Sequence, residues 1–211
     1  MSKATFEHLG RRPAIDPSAS VAPTAIVSGD VRIGRETRVA HGAVLTSEGG
    51  PLRIGRRCII MENVVLRATR RHPLGIGDHV LVGPRAYLSG CVIEDNVFLA
   101  TGTTVFNGAR VGARTEVRIN GVVHLRTALP PGSVVPIGWV AVGDPPSILP
   151  PNHHEAIWAL QEPLDFPRSV FGIPRAAAGD TNMPLLCARY SRWLARHDAD
   201  RRIDAEDERT P

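Results

Sequence analysis

Residues 76–99 read IGDHVLVGPRAYLSGCVIEDNVFL, and this stretch decides the fold. Aliphatic residues recur in it about every six positions, often followed by Gly as at Ile76 and Val82, with a small or β-branched residue four places further on. A repeat of this length fits neither an α-helix, whose period is about 3.6 residues, nor a two-faced strand, whose period is about 2. It is typical of a parallel β-helix, in which short strands are joined by tight turns and one residue of each turn points into a narrow core.

The same repeat runs from about residue 21 to residue 129 and can be laid out as coils of three strands each. Its extra residues fall into two predicted loops, at residues 47–50 and 68–75. Equivalent residues of successive coils should form columns with a spacing of about 4.8 Å. The inward-pointing residues predicted for the six coils are Val21, Val27 and Ile33; Val39, Leu45 and Ile54; Ile60, Leu66 and Ile76; Val82, Leu88 and Ile93; Leu99, Val105 and Val111; and Val117, Val123 and Leu129.

The fold class predicted from this pattern is all-β with a helical appendage, namely a parallel β-helix followed by C-terminal α-helices. The turns PPGS (130–133) and VGDPP (142–146) end the repeat, and helical patterns follow at residues 152–161 and 182–198. We therefore expect four segments. They are an N-terminal arm (1–13), the β-helix domain (14–147), a C-terminal helical segment (148–198) and a disordered charged tail (199–211).

Composition limits the classes of partner. The net charge is +4, and the positive charge comes almost wholly from arginine because Lys3 is the only lysine. The sequence has no aromatic-interleaved basic stripe, zinc finger or helix-turn-helix, so nucleic acid is not expected as a partner, whereas a small anionic molecule is plausible. The three cysteines form no CxxC pair, and no apolar stretch approaches the length of a membrane span, so a cytoplasmic protein without membrane contact is the simplest prediction.

Several motifs resemble the γ-class carbonic anhydrases and their hexapeptide-repeat relatives. The resemblance implies a left-handed β-helix that assembles as a homotrimer with clefts between the subunits. In that family three histidines bind a zinc ion between neighbouring subunits. The motifs that carry the resemblance are DVRIG (30–34), ENVVL (62–66), IGDHVLVG (76–83), YLSGCVIEDNVFL (87–99), VGDPP (142–146) and the pair Tyr190 and Trp193 in the C-terminal helix.

Carried over by position, the three zinc-ligand places of the family hold Arg67, Pro84 and Ser89. None of these side chains can supply an imidazole, and zinc requires deprotonated nitrogen, sulfur or carboxylate donors. We therefore expect no metal at these positions and no cofactor. The segment that reads RGD in the family corresponds to Thr46, Ser47 and Glu48.

Arginine in place of a metal ligand could bind an anion in a cleft between subunits. A guanidinium group can bind a carboxylate, phosphate or bicarbonate through two parallel hydrogen bonds. The predicted substrate-binding residues are Arg67, Ser89, Glu62 and Arg85. In the alternative, Arg67 pairs across the trimer with Glu62 or Glu48 and stabilises the interface.

Other histidines could supply different chemistry. His41, His72 and His124 are candidates for a general base, as in hexapeptide acyltransferases that use coenzyme A. A relocated zinc site on His72 and His79 with Glu62 of a neighbouring subunit is a further alternative.

The function predicted from the sequence is a trimeric γ-carbonic-anhydrase-like protein that binds a small anionic metabolite, with altered or no hydratase activity. Three alternatives stay open. They are an acyltransferase that uses coenzyme A, a non-catalytic trimeric scaffold, and a carbonic anhydrase with a relocated zinc site.

Overall fold

The computed structural model describes residues 4–177 and 179–203, and it confirms the predicted fold class. The chain forms a left-handed parallel β-helix of about eight coils with two α-helices at its C-terminal end. Most strands have two or three residues, because a six-residue repeat leaves room for only a short strand between turns.

The strands are β1 (Ala4–Glu7), β2 (Ala14–Ile15), β3 (Ser20–Val21), β4 (Ile26–Ser28), β5 (Val31–Ile33), β6 (Arg38–Val39), β7 (Val44–Glu48), β8 (Leu52–Ile54), β9 (Ile59–Ile60), β10 (Val65–Thr69), β11 (Leu74–Ile76), β12 (Leu81–Val82), β13 (Tyr87–Ser89), β14 (Val92–Ile93), β15 (Phe98–Leu99), β16 (Thr104–Val105), β17 (Arg110–Val111), β18 (Glu116–Val117), β19 (Val122–Val123), β20 (Ala128–Leu129), β21 (Val134–Val135), β22 (Val140–Val142), β23 (Ser147–Leu149) and β24 (Arg201–Arg202). The helices are α1 (His154–Gln161) and α2 (Met183–Leu194), with shorter helical turns at Glu162–Leu164, Pro167–Phe171 and Ala195–Ala199.

The strands stack into three sheets, one for each side of the coil, and the predicted register holds throughout. In one sheet β7, β10 and β13 are parallel neighbours that align Leu45, Leu66 and Leu88. In the other two sheets Val39 aligns with Ile60, and Ile54 aligns with Ile76. These side chains are buried in a single hydrophobic core that runs along the axis of the stack.

Within the predicted N-terminal arm, residues 4–7 form a strand that belongs to the β-helix. Strand β1 pairs in parallel with β4 and so extends the first sheet by one strand. On its other side it pairs with β24 in the antiparallel direction. This arrangement covers a sheet edge that would otherwise present unpaired backbone groups.

The beginning of the predicted disordered tail is structured. Arg201–Arg202 form β24, and Ile203 donates its backbone N–H to Thr5. The side chain of Ile203 is buried, which explains why a largely charged segment adheres to the β-helix here. Residues 204–211 of that tail lie outside the described residues.

Within residues 4–177 and 179–203, no helix has the length and apolar character needed to cross a membrane.

Candidate functional site

Strand β10 places Arg67 between the neighbouring coils, as the column register predicts. Arg67 aligns with Thr46 of β7 on one side and with Ser89 of β13 on the other. Inward and outward residues alternate along a strand, so Leu66 lies in the core while Arg67 points away from it. Arg67 and Ser89, two of the three residues expected at positions that correspond to zinc ligands in the resembling family, are therefore adjacent in one chain.

The guanidinium group of Arg67 is enclosed by groups of its own chain. Its Nη2 atom lies 3.6 Å from Oε1 of Glu48, which is buried. On the other side its Cζ atom lies 5.0 Å from the ring centre of Trp193 and 5.5 Å from that of Tyr190, within cation–π distance. Glu48 is one of the two carboxylates expected to pair with Arg67, but the pair forms within the chain. Helix α2 thus covers Arg67 with two aromatic rings.

Glu48 also connects Arg67 to a cluster formed by the two ends of the described chain. Its Oε1 atom lies 3.2 Å from Nε2 of His197. The Nδ1 atom of His197 lies 2.8 Å from Oδ2 of Asp200, and Nδ1 of His8 lies 2.5 Å from Oδ1 of the same carboxylate. The rings of His8 and His197 are stacked with centres 4.4 Å apart.

These surroundings change the acidity of His197. Burial by itself lowers the pKa of this imidazole, but the hydrogen bond to Asp200 and the negative charge of Glu48 outweigh burial. The net effect is a pKa of His197 above its ordinary value.

Ser89 lies next to Arg67, whereas the other two predicted binding residues, Glu62 and Arg85, do not join them within one chain. Glu62 and Arg85 lie in the turns that precede β10 and β13, where the backbone N–H of Arg85 donates to the carbonyl oxygen of Glu62 at 2.9 Å. Arg85 is exposed and has a positive φ of 58°, as expected for a corner of the coil. A cleft that combines Arg67 and Ser89 with Glu62 and Arg85 would require a neighbouring subunit, and it stays a prediction.

A basic cleft of about 460 Å³ lies between the loop after β10 and the segment that follows α1. Arg71, His72, Arg126 and Arg168 line it. The loop fits tightly against the coil, since a Cβ atom on Gly90 would collide with the Cβ atom of His72. The remaining lining residues are Pro163, Leu164, Asp165 and Ser169.

The three candidate bases have different environments. His72 lies in the basic cleft and is half-buried. Its pKa lies below the ordinary value because burial, and after it the charges of Arg126 and Arg71, disfavour the protonated imidazole. His41 is exposed on a turn, where its Nδ1 atom lies 2.8 Å from the hydroxyl of Thr24.

His124 is a buried member of an aromatic cluster. Its ring centre lies 5.8 Å from that of Phe106 and 6.4 Å from that of Phe166. Burial lowers the pKa of His124, and its Nδ1 atom has no hydrogen-bond partner among the described residues. This environment gives His124 a packing role and makes His72 the best placed of the three for proton transfer to a bound molecule.

Cys91, the thiol closest to Ser89 in sequence, is fully buried in the core, and burial raises its pKa far above the usual range.

Among residues 4–177 and 179–203, the group of three or more potential metal ligands found within one chain is His8, His197 and Asp200. His72 and His79 are not part of it. The sequence does not predict this cluster, because His8 and Asp200 are separated by 192 positions. The only local sign of it is that His197 and Asp200 lie three positions apart.

No protein-family model matches the chain. Gamma carbonic anhydrase 1, mitochondrial, of Arabidopsis thaliana is 34% identical over 59% of this chain and 47% of its own length. The probable carbonic anhydrase of Methanocaldococcus jannaschii is 30% identical over 57% of this chain and 76% of its own length. The chain spans about half the length of the first two plant relatives, at 47% and 52%.

Among solved structures, a protein of Bacillus cereus assigned as an acetyltransferase superposes with a TM-score of 0.52 and 22% identity, over 74% of this chain and 87% of its own. This likeness concerns the fold alone. The family is assigned from the sequence relatives, because the identity of 30% extends over three quarters of the Methanocaldococcus protein. The chain belongs to the γ-class carbonic anhydrase family of hexapeptide-repeat proteins.

Proposed function

We propose that the chain binds a small anionic metabolite in the basic cleft around His72 and has altered or no hydratase activity. The observation that carries this proposal is the convergence of three arginines and His72 on one cleft. This differs from the position expected from the sequence, because Arg67 is already engaged by Glu48 and two aromatic rings.

The charge of the cleft is only partly compensated within the described residues. Arg168 lies 3.2 Å from the carboxylate of Asp165. Arg126 donates to the hydroxyl of Ser169 at 3.4 Å, and no described carboxylate lies within ion-pair distance of Arg71 or Arg126. Two guanidinium groups without a carboxylate partner favour binding of an anion with several oxygen atoms, such as a carboxylate, sulfate, phosphate or bicarbonate.

The residues at the family's zinc-ligand positions do not fit a zinc ion. Arg67 is a permanent cation, Pro84 has no donor atom in its side chain, and the hydroxyl of Ser89 is a neutral group. Hydration of carbon dioxide by a zinc-bound hydroxide at this place is therefore not part of the proposed function.

The proposal includes a homotrimer in the cytoplasm, as the family resemblance implies. One sheet of the β-helix carries the exposed apolar side chains of Ile59, Phe98 and Val134 on its outer face. Half-buried Leu81 lies between the first two, and Glu116 lies between Phe98 and Val134. Such a surface is suited to burial against a second copy of the chain.

Transfer of an acyl group from coenzyme A is the second candidate, and His72 favours it. An imidazole with a lowered pKa is unprotonated at neutral pH and can accept a proton from an acceptor substrate. The same arginines could bind the phosphates of coenzyme A. The two candidates differ in the ligand that binds and in whether an acyl group is transferred.

Replacing Arg126 with methionine should weaken binding of sulfate or bicarbonate by about tenfold or more, since a hydrogen bond to a charged group contributes about 1.5–3 kcal/mol. Isothermal titration calorimetry on the full chain measures this change. Arg114→Met is the matched control, because Arg114 is an exposed turn residue outside the cleft.

Equal affinity of wild type, Arg126→Met and Arg114→Met would contradict the proposed site, and absence of anion binding by the wild type would favour a scaffold. Tight binding of acetyl-coenzyme A with measurable acyl transfer would favour the second candidate. If the protein hydrates carbon dioxide faster than the uncatalysed rate and loses this activity when metal is removed, the proposal of altered or no hydratase activity is overturned.

We expect bound sulfate to raise the pKa of His72. The positive charges of Arg126 and Arg71 contribute to the low pKa of the free protein, and an anion between them offsets these charges. By linkage, sulfate must then bind more tightly as the pH falls through the titration range of His72. Sulfate is suitable because its own charge is constant over this range.

Titration of the His72 ring by NMR, with and without saturating sulfate, measures the shift. His72→Gln should bind sulfate with a weaker dependence on pH, and His41→Gln, which alters an exposed histidine, should behave as the wild type does. An unchanged His72 titration at saturation would mean that the anion binds elsewhere.

A further inference from the structure

The two ends of the described chain bring together a set of metal-binding side chains away from the basic cleft. His8 follows β1, and His197 and Asp200 lie between α2 and β24. One ligand atom from each can be chosen so that all three lie within 4.8 Å of one another. Two imidazoles and a carboxylate are ligands that zinc accepts in proteins.

The groups around this cluster have the arrangement that supports a metal ligand. Glu48 lies 3.2 Å from Nε2 of His197, while Nδ1 of the same ring faces Asp200. A carboxylate on one imidazole nitrogen fixes the tautomer and leaves the other nitrogen to bind the metal, and such partners are common in zinc sites. Asp200 and His197 are only half-buried, so water could complete the coordination.

His8 provides an independent observation. Its side chain is 2% exposed, and its Nε2 atom has no hydrogen-bond partner among the described residues. A buried polar atom without a partner costs free energy, and a metal ion bound by that nitrogen would remove the cost. The histidine is therefore held in a costly position next to a second imidazole and a carboxylate.

We propose that His8, His197 and Asp200 bind a zinc ion, with Glu48 orienting His197. Zinc bound to Nε2 of His8 leaves the contact between Nδ1 and Asp200 in place, whereas the bond from Nδ1 of His197 to zinc replaces the hydrogen bond of that ring to Asp200, and the displaced proton passes to solvent. The site joins the segment after α2 to the N-terminal strand β1, so its role is structural. It also holds Glu48 beside Arg67, which links it to the aromatic cover of that residue.

The test uses the full chain after treatment with a chelator and dialysis, followed by equilibrium dialysis against zinc and elemental analysis. The wild type should bind about one zinc ion per chain, and zinc should raise the melting temperature because it binds only the folded state. Loss of a partner that orients a ligand reduces metal affinity by about 10- to 100-fold, so this is the loss expected for Glu48→Gln. Asp200→Asn and His8→Gln should lose at least as much.

His41→Gln and His72→Gln are matched controls and should retain zinc. Cobalt(II) provides a measurement that needs no variant, since tetrahedral coordination by nitrogen and oxygen gives strong visible absorption that a weakly held surface ion lacks. Lack of stoichiometric zinc in the wild type would overturn the proposal, as would zinc uptake by a folded Asp200→Asn variant equal to that of the wild type. Circular dichroism establishes that each variant is folded.

Discussion

Replacing Glu48 with leucine should lower the free energy of unfolding by about 2–4 kcal/mol, because removal of one partner of a buried ion pair leaves the other charge uncompensated. Glu48 is buried and contacts both Arg67 and His197, so the substitution breaks two polar contacts at once. The expected loss of stability is smaller than for a fully buried ion pair, because Arg67 is partly exposed and solvent screens its charge. Urea unfolding followed by circular dichroism measures the change, with a chelator present so that no metal contributes.

The double variant Glu48→Leu/Arg67→Met is the control for this interpretation. Both charges are then absent and apolar groups fill similar volumes, so at least half of the lost stability should return. If the double variant is as unstable as the sum of the two single variants, Glu48 acts independently of Arg67. A single Glu48→Leu variant with wild-type stability would mean that the pair contributes nothing.

Replacing Leu66 with alanine should lower the free energy of unfolding by about 2–5 kcal/mol, the usual cost of truncating a buried leucine. Leu66 is fully buried and is stacked between Leu45 and Leu88 of the adjacent coils. The core of a β-helix is only one side chain wide in each corner, so neighbouring coils have little freedom to collapse into the space. Urea unfolding at fixed protein concentration measures the loss.

Ile137→Ala is the matched control, because Ile137 is 63% exposed and its truncation should change stability by no more than about 0.5 kcal/mol. Equal effects of the two substitutions would contradict the column register derived from the repeat. If the free energy of unfolding of one variant depended more steeply on urea concentration, the substitution would have changed the unfolded state instead.

The coil register can be predicted from the sequence residue by residue. A strand that is buried on one side must place every inward residue on the same face, so a repeat of six fixes the column to which each position belongs. The repeat assigns Leu45, Leu66 and Leu88 to one column, and their strands pair in that order. The adjacency of Arg67 and Ser89 follows from the same rule.

The C-terminal segment is predicted less completely. The helix expected at residues 182–198 ends at Leu194 and continues as a tighter turn to Ala199. Leu185 and Leu194 of this helix remain exposed. The contact of Tyr190 and Trp193 with Arg67 does not follow from the sequence, because helical periodicity indicates a face but not the surface that it meets.

The sequence by itself determined the β-helix and its register, because both depend on a local repeat. Only the tertiary structure decided the partners of Arg67, the basic cleft around His72 and the cluster of His8, His197 and Asp200. These arrangements depend on how the segments after the β-helix fold back onto it, and no periodicity in the chain specifies that path. The first and last described strands, β1 and β24, meet because both satisfy backbone groups at the same sheet edge.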